Sequence, residues 1–174
     1  MTDTTAAWAT TVYANHCLFG LHDPTCEEIS NYAEATSAIS KDAVGWSTNA
    51  LLVESATDLA PLGVQVEVVQ AAPPTDDSAE LLREGQLELP GGQVSIPESV
   101  DGDFQVGLPL PPGPGTYGVR VAGYGRRRVR ELRDAAVEPD DIYAVAEAQV
   151  GIERYRISLW QISSEPSWPD DDED

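Results

Sequence analysis

The sequence predicts a mainly β domain over residues 1–163, a sandwich-like two-layer fold with one or two short helices, followed by a disordered acidic tail over 164–174. Three observations lead there. Several short stretches alternate apolar and polar residues with the two-residue period of a strand buried on one face, most cleanly Val64, Val66 and Val68 against Gln65, Glu67 and Val69. Tyr117, Val119 and Val121 alternate in the same way with Gly118, Arg120 and Ala122. Turn signals built on Gly, Pro and Asp separate about eight or nine such stretches. With 174 residues the chain can bury about 70% of its unfolded surface, so the fold requires no metal or disulfide staple.

Taken in order, Trp8 to Leu21 is rich in β-branched and aromatic residues, and Trp8, Thr10, Val12 and Ala14 share one face of an extended segment. An irregularity near Asn15 and His16 divides it into a strand pair. Asp23-Pro24 interrupts the chain, and Thr25, Glu27 and Glu28 open a helix over 26–39, with Ile29, Tyr32, Ala33, Thr36 and Ile39 on its inner face. Val44–Val53 and Gly63–Val69 are the next strands. The Pro-rich run 72–77 breaks the chain, leaving at most a short helix over 78–84. Gln86–Leu89 and Gln93–Pro97 flank Pro90-Gly91-Gly92, a turn of hairpin length, and Phe104–Leu108 reads as a short strand. After Pro114-Gly115 comes the strand through Val121, where Gly123 and Gly125 bend the chain into the arginine run 126–133. Ile142–Val150 fits helix and strand alike, and Tyr155, Ile157 and Leu159 mark the last strand.

The net charge of −20 is unevenly distributed. Residues 1–119 carry −15, residues 120–164 carry +1, and residues 165–174 carry −6. Such a surface repels nucleic acid and anionic membrane and accelerates encounter with a basic protein at low salt. Arg126, Arg127, Arg128, Arg130 and Arg133 hold half of the positive charge and form a candidate charged patch. This patch lacks interleaved aromatics and sits in a negative field, which argues for pairing with the protein's own carboxylates over nucleic-acid binding. Met1–Ala7 has no positive leader region and no stretch reaches ~18 apolar residues, so a cytoplasmic location is expected.

Motifs for chemistry are absent: no phosphate loop, dinucleotide fingerprint, G-x-S-x-G or H-E-x-x-H occurs. Cys17 and Cys26, with His16 and His22 nearby, do not make four well-spaced metal ligands. A Cys17–His22 nucleophile pair is conceivable because an imidazolium stabilises a thiolate, but a buried thiol and a surface histidine are the plainer reading. No catalytic residue, metal or cofactor is therefore assigned.

Four patches in order, V-Y-A-N-H-C-L-F-G-L-H-D (12–23), V-Q-V-E-V (64–68), P-G-T-Y-G-V-R-V (114–121) and E-R-Y-R-I-S-L-W (153–160), resemble a group of small bacterial proteins that includes the competence-protein-J nuclease inhibitors. In that group the first patch usually has His-Gln-Phe; here Cys17 and Leu18 precede Phe19. The resemblance implies a β-rich cytoplasmic protein that binds and blocks a nuclease. Together with the charge, it points to a non-enzymatic inhibitor or immunity-type protein whose carboxylates occupy the basic cleft of a nuclease or other nucleic-acid-binding protein. The loop acids Asp76, Asp77, Glu80, Glu84, Asp101, Asp103, Asp140 and Asp141 are its candidate contacts. The alternative is a structural subunit, encoded by a phage or mobile element, that self-associates through the arginine run.

Overall fold

A computed structural model describes residues 3–14, 16–26, 28–39, 42–58, 60–97, 107–135 and 142–165. The strands are β1 (Thr4–Tyr13), β2 (Leu18–His22), β3 (Val44–Trp46), β4 (Ala50–Glu54), β5 (Pro61–Val69), β6 (Leu81–Leu89), β7 (Gln93–Val94), β8 (Leu108–Pro109), β9 (Gly115–Tyr124) and β10 (Arg154–Ser163). Three helices accompany them: α1 (Glu28–Ala38), α2 (Arg126–Asp134) and α3 (Ile142–Gln149). The fold is mainly β, and its two larger sheets share one core.

The larger sheet has the order β1-β5-β10-β9-β6. β10 lies at its centre, parallel to β5 and antiparallel to β9, while β1 and β6 are antiparallel edge strands. Registers such as Trp8↔Val66, Val66↔Ile157 and Ile157↔Val121 align the apolar positions of successive strands on one face. Across that face packs the three-stranded sheet β2-β4-β3, whose Phe19, Leu21, Val44, Leu51 and Val53 join the same buried cluster. Phe19 meets Tyr155 edge to face, ring centroids 4.9 Å apart, so one aromatic pair joins the layers. β7 and β8 form a small third sheet.

Several expectations are met, and others are corrected. β1 and β2 are divided at His16 and Cys17, both with φ in the left-handed region, and this break sends the two halves into different sheets. Residues 44–53 are a hairpin of two strands, because Ser47 accepts from and donates to Ala50 across the tight turn 47–50. The segment 81–84 is strand, part of nine-residue β6, which pairs with β9 rather than with β7. The turn at 90–92 therefore passes between sheets, and buried Asp23 secures it by accepting from Gly91 N at 2.7 Å and from Thr25 N and Oγ1. Residues 104–106 of the expected strand lie outside the described residues, and β8 begins at Leu108.

Among the described residues the helices number three, where one or two were expected. α1 turns Ala35 inward and leaves Ala33 and Thr36 exposed, a rotation of the expected face. The cause is close packing on β3: a Cβ on Gly45 would stand 1.8 Å from the Ala35 carbonyl oxygen. The arginine run is helical from Arg126, its entry turn made by Gly125 at φ 75°, and Ile142–Gln149 resolves to helix.

Candidate functional site

Because β10 and β9 lie between β5 and β6, residues 70–80 must cross the outer face of the sheet as a strap. Its anchor is Asp76. One carboxylate oxygen accepts from Ser78 N (3.0 Å) and Ser78 Oγ (2.6 Å), an Asx-type turn that the Asp-Asp-Ser sequence favours. The other accepts from Tyr124 OH (2.7 Å) and Arg156 Nη2 (3.0 Å). The Ser78 and Tyr124 hydrogen bonds, with the Arg156 charge, hold the Asp76 carboxyl well below the usual carboxylate range. Farther along, Arg120 donates to the Pro73 and Pro74 carbonyls and pairs with Glu84. Arg154 and Arg156 lie over the Tyr124 ring, at 5.1 and 5.9 Å from its centroid. Thus the strap is fixed by β9 at Pro73, Pro74 and Asp76 and by β10 at Asp76.

The strap roofs a cavity of about 350 Å³ whose charged lining is Glu67, Asp76, Asp77 and Arg156. Arg156 stands 3.9 Å from Glu67 and 3.0 Å from Asp76, and the three carboxylates leave the lining net negative. Of the acids proposed as contacts, Asp76, Asp77, Glu80 and Glu84 are brought together on the strap and the start of β6. Asp77 is exposed, and Glu80 accepts from Arg127 N (2.6 Å) at the start of α2. Asp101, Asp103, Asp140 and Asp141 lie outside the described residues. Glu67, Tyr124 and Arg156 were not singled out by sequence reasoning. Their outward parity on β5, β9 and β10 was the available signal.

The arginines of α2 divide by depth. Arg126 is buried, correcting its place in a surface patch. Its Nη1 donates to the Glu54 carbonyl (2.6 Å) and to Tyr155 OH, and stands 3.5 Å from Glu153 Oε1. Glu153, also buried, accepts from Ala56 N, Thr57 N (2.8 Å each) and Tyr155 OH (2.5 Å), while Thr57 donates to buried Gln149. Arg127, Arg128, Arg130 and Arg133 are exposed; Arg128 pairs with Glu131 within the helix, and Arg133 stands 3.8 Å from Asp134. A second cavity, about 330 Å³, opens beside α2 and is lined by Arg83, Arg126, Arg130 and Arg133 together with Asp42 and Glu54. Four guanidiniums against two carboxylates leave this lining net positive.

Cys17 and His22 do not form a pair. Cys17 precedes β2 and His22 ends it, so the two are about 16 Å apart along an extended strand. His22 is buried, with Nδ1 2.8 Å from Tyr32 OH. Burial, then the Asp58 charge, raises the Cys17 thiol pKa, and burial raises that of Cys26. Among the described residues no three His, Cys, Asp or Glu side chains converge as metal ligands, and no helix is long and apolar enough to cross a membrane.

The fold resembles that of ComJ. The crystal structure of ComJ, inhibitor of the DNA degrading activity of NucA, from Bacillus subtilis, superposes with a TM-score of 0.57 at 10% identity, covering 93% of this chain and 99% of ComJ. The protein of crocagin biosynthetic gene J superposes with a TM-score of 0.54 at 14% identity over the same shares. No protein-family model matches the chain, and no curated protein matches it in sequence. At these identities the likeness is one of fold.

Proposed function

We propose that this protein is a non-enzymatic inhibitor that blocks the basic cleft of a nuclease, acting in an immunity-type role in a bacterial cytoplasm. The observation that carries the reading is the likeness along nearly the whole chain to ComJ, itself an inhibitor of a DNA-degrading activity. The strap supplies the place of contact. Its carboxylates would stand where substrate phosphates sit, with a basic side chain of the nuclease entering the cavity beside Asp76 and Asp77. Fixing the strap beforehand removes ordering cost from binding, and the charge of −20 raises the encounter rate by ~10- to 1,000-fold at low salt. Asp101, Asp103, Asp140 and Asp141 are further acidic contacts in this proposal. Self-association through the arginine run has less support, since Arg126 is buried and Arg128 and Arg133 have acidic neighbours within or beside α2.

The test is a tagged pull-down from the source lysate at low salt, followed by a salt step and a DNA-degradation assay of the eluate. A basic nuclease should elute, and adding back the purified chain should suppress its activity. An eluate without nuclease activity, or activity indifferent to the added chain, would overturn the reading.

A further inference from the structure

The two edges of the large sheet are finished differently. β6 carries Arg83, Glu84 and Glu88, and the turn before β4 caps it: Glu88 N donates to the Thr48 carbonyl and Asn49 Nδ2 donates to the Glu88 carbonyl, each at 2.8 Å. Among the described residues β1 has neither charge nor cap, and its one irregularity, a register shift between Thr4 and Ala6, lies at its start. Its ten residues, T-T-A-A-W-A-T-T-V-Y, include no charge and no proline, and among the described residues no strand lies beyond it. A long, uncharged edge is a template for strand pairing, which proteins ordinarily blunt. Here it is kept in a chain of net charge −20.

The side chains of β1 are also complementary to themselves. In an antiparallel pair, opposed residues point to the same face, so a two-fold axis must pass through a residue position. Placed at Trp8, it sets Ala7 against Ala9 on the outer face, where both are exposed, within the regular part of the strand that follows the register shift between Thr4 and Ala6. On the core-facing side it sets Trp8 against its mate and Ala6 against Thr10. Trp8 is half-buried and packed on the edge of the core, so its remaining surface would be covered by the second tryptophan. Over residues 6–10 the opposed pairs are Ala with Ala, Ala with Thr and Trp with Trp, all uncharged, so no like charges meet.

We propose that β1 is the docking edge for a second copy of the chain: two β1 strands pair antiparallel about Trp8 and join two five-stranded sheets into one of ten strands. Such a dimer leaves both straps open on the same side of the extended sheet. This inference is independent of the inhibitor reading. The sign of its salt dependence is diagnostic. Two bodies of charge −20 repel, so pairing through an uncharged edge strengthens as salt screens them, whereas contact between α2 arginines and acidic surface weakens.

Sedimentation velocity on the full chain at about 50 and about 500 mM salt tests the proposal, with Ala7→Lys/Ala9→Lys and Ala7→Lys/Ala9→Glu as variants at exposed positions. The wild type should dimerise more tightly at the higher salt. The double lysine variant opposes Lys to Lys twice and should dimerise about tenfold more weakly. The Lys/Glu variant, which opposes Lys to Glu in this register, should recover the dimer, a rescue that a merely unfolded variant would not give. A wild type monomeric at both salts, a dimer that weakens as salt rises, or a dimer unchanged in the double lysine variant would overturn it.

Discussion

Glu153 is 1% exposed, and its carboxylate is satisfied by two backbone amides and a tyrosine hydroxyl beside the Arg126 guanidinium. Removing one member of such a group leaves the other charge buried without compensation. Glu153→Ala should therefore cost about 3–5 kcal/mol in urea unfolding, whereas Arg128→Ala, which breaks an exposed pair on α2, should cost about 0.5 kcal/mol or less. Tyr117 gives a prediction in pH. Burial pushes its hydroxyl up to about 12 from an ordinary 10, and that hydroxyl donates to the Gly113 carbonyl at 2.5 Å. A group whose folded pKa is raised stabilises fully below the unfolded value and loses that contribution as pH climbs through the folded one. Stability should fall between about pH 10 and 12, less steeply in Tyr117→Phe, as a pH series of denaturant midpoints would show. None of the buried Arg126–Glu153 group was legible in the sequence as a cluster. Arg126 sits among four other arginines, and burial of the first alone follows from Gly125, which turns the chain so that the start of α2 faces inward.

At the scale of elements, β5, β9 and β10 could be read directly, because Val64, Tyr117, Tyr155 and their period-two neighbours each bury one face against the other layer. β6 could not. Its inward positions are Leu81, Arg83, Gly85, Leu87 and Leu89, and the two middle residues erase the apolar alternation. Gly85 is required there because the Trp46 ring packs on it, 2.6 Å from where a Cβ would stand. The pairing of β6 with β9 is a long-range choice that the local Pro-Gly-Gly turn obscured. The strap was seen as a break and not as a crossover, since strand order decides what it spans. Its anchoring yields a second pH prediction. Asp76 has a lowered pKa, so its contribution is present above the ordinary carboxylate range and is lost as pH falls towards its folded value. Asp76→Asn should flatten the acid limb of the stability curve. Hydrogen exchange should also quicken at Ser78 and Ala79, whose amides bond to Asp76.

For the whole molecule, charge is the property that the sequence states most plainly, while its distribution on the surface needed the fold. Asp76, Asp77, Glu80 and Glu84 were chosen as loop acids, and the crossover gathers them on one ridge. Yet Asp76 and Glu84 are also structural, each paired with an arginine of the sheet. Asp77 is the exposed acid of that ridge that lines the cavity, which makes Asp77→Lys the substitution of choice: it should leave the denaturant midpoint within about 0.5 kcal/mol of wild type. The decisive measurement is the initial rate of DNA degradation by the captured nuclease, followed as wild-type chain and Asp77→Lys are titrated in at about 50 and about 500 mM salt. The wild type should suppress degradation strongly at low salt and more weakly at high salt, and Asp77→Lys should lose about tenfold or more in potency at low salt. An undiminished rate with wild-type chain in excess at low salt would contradict the inhibitor reading.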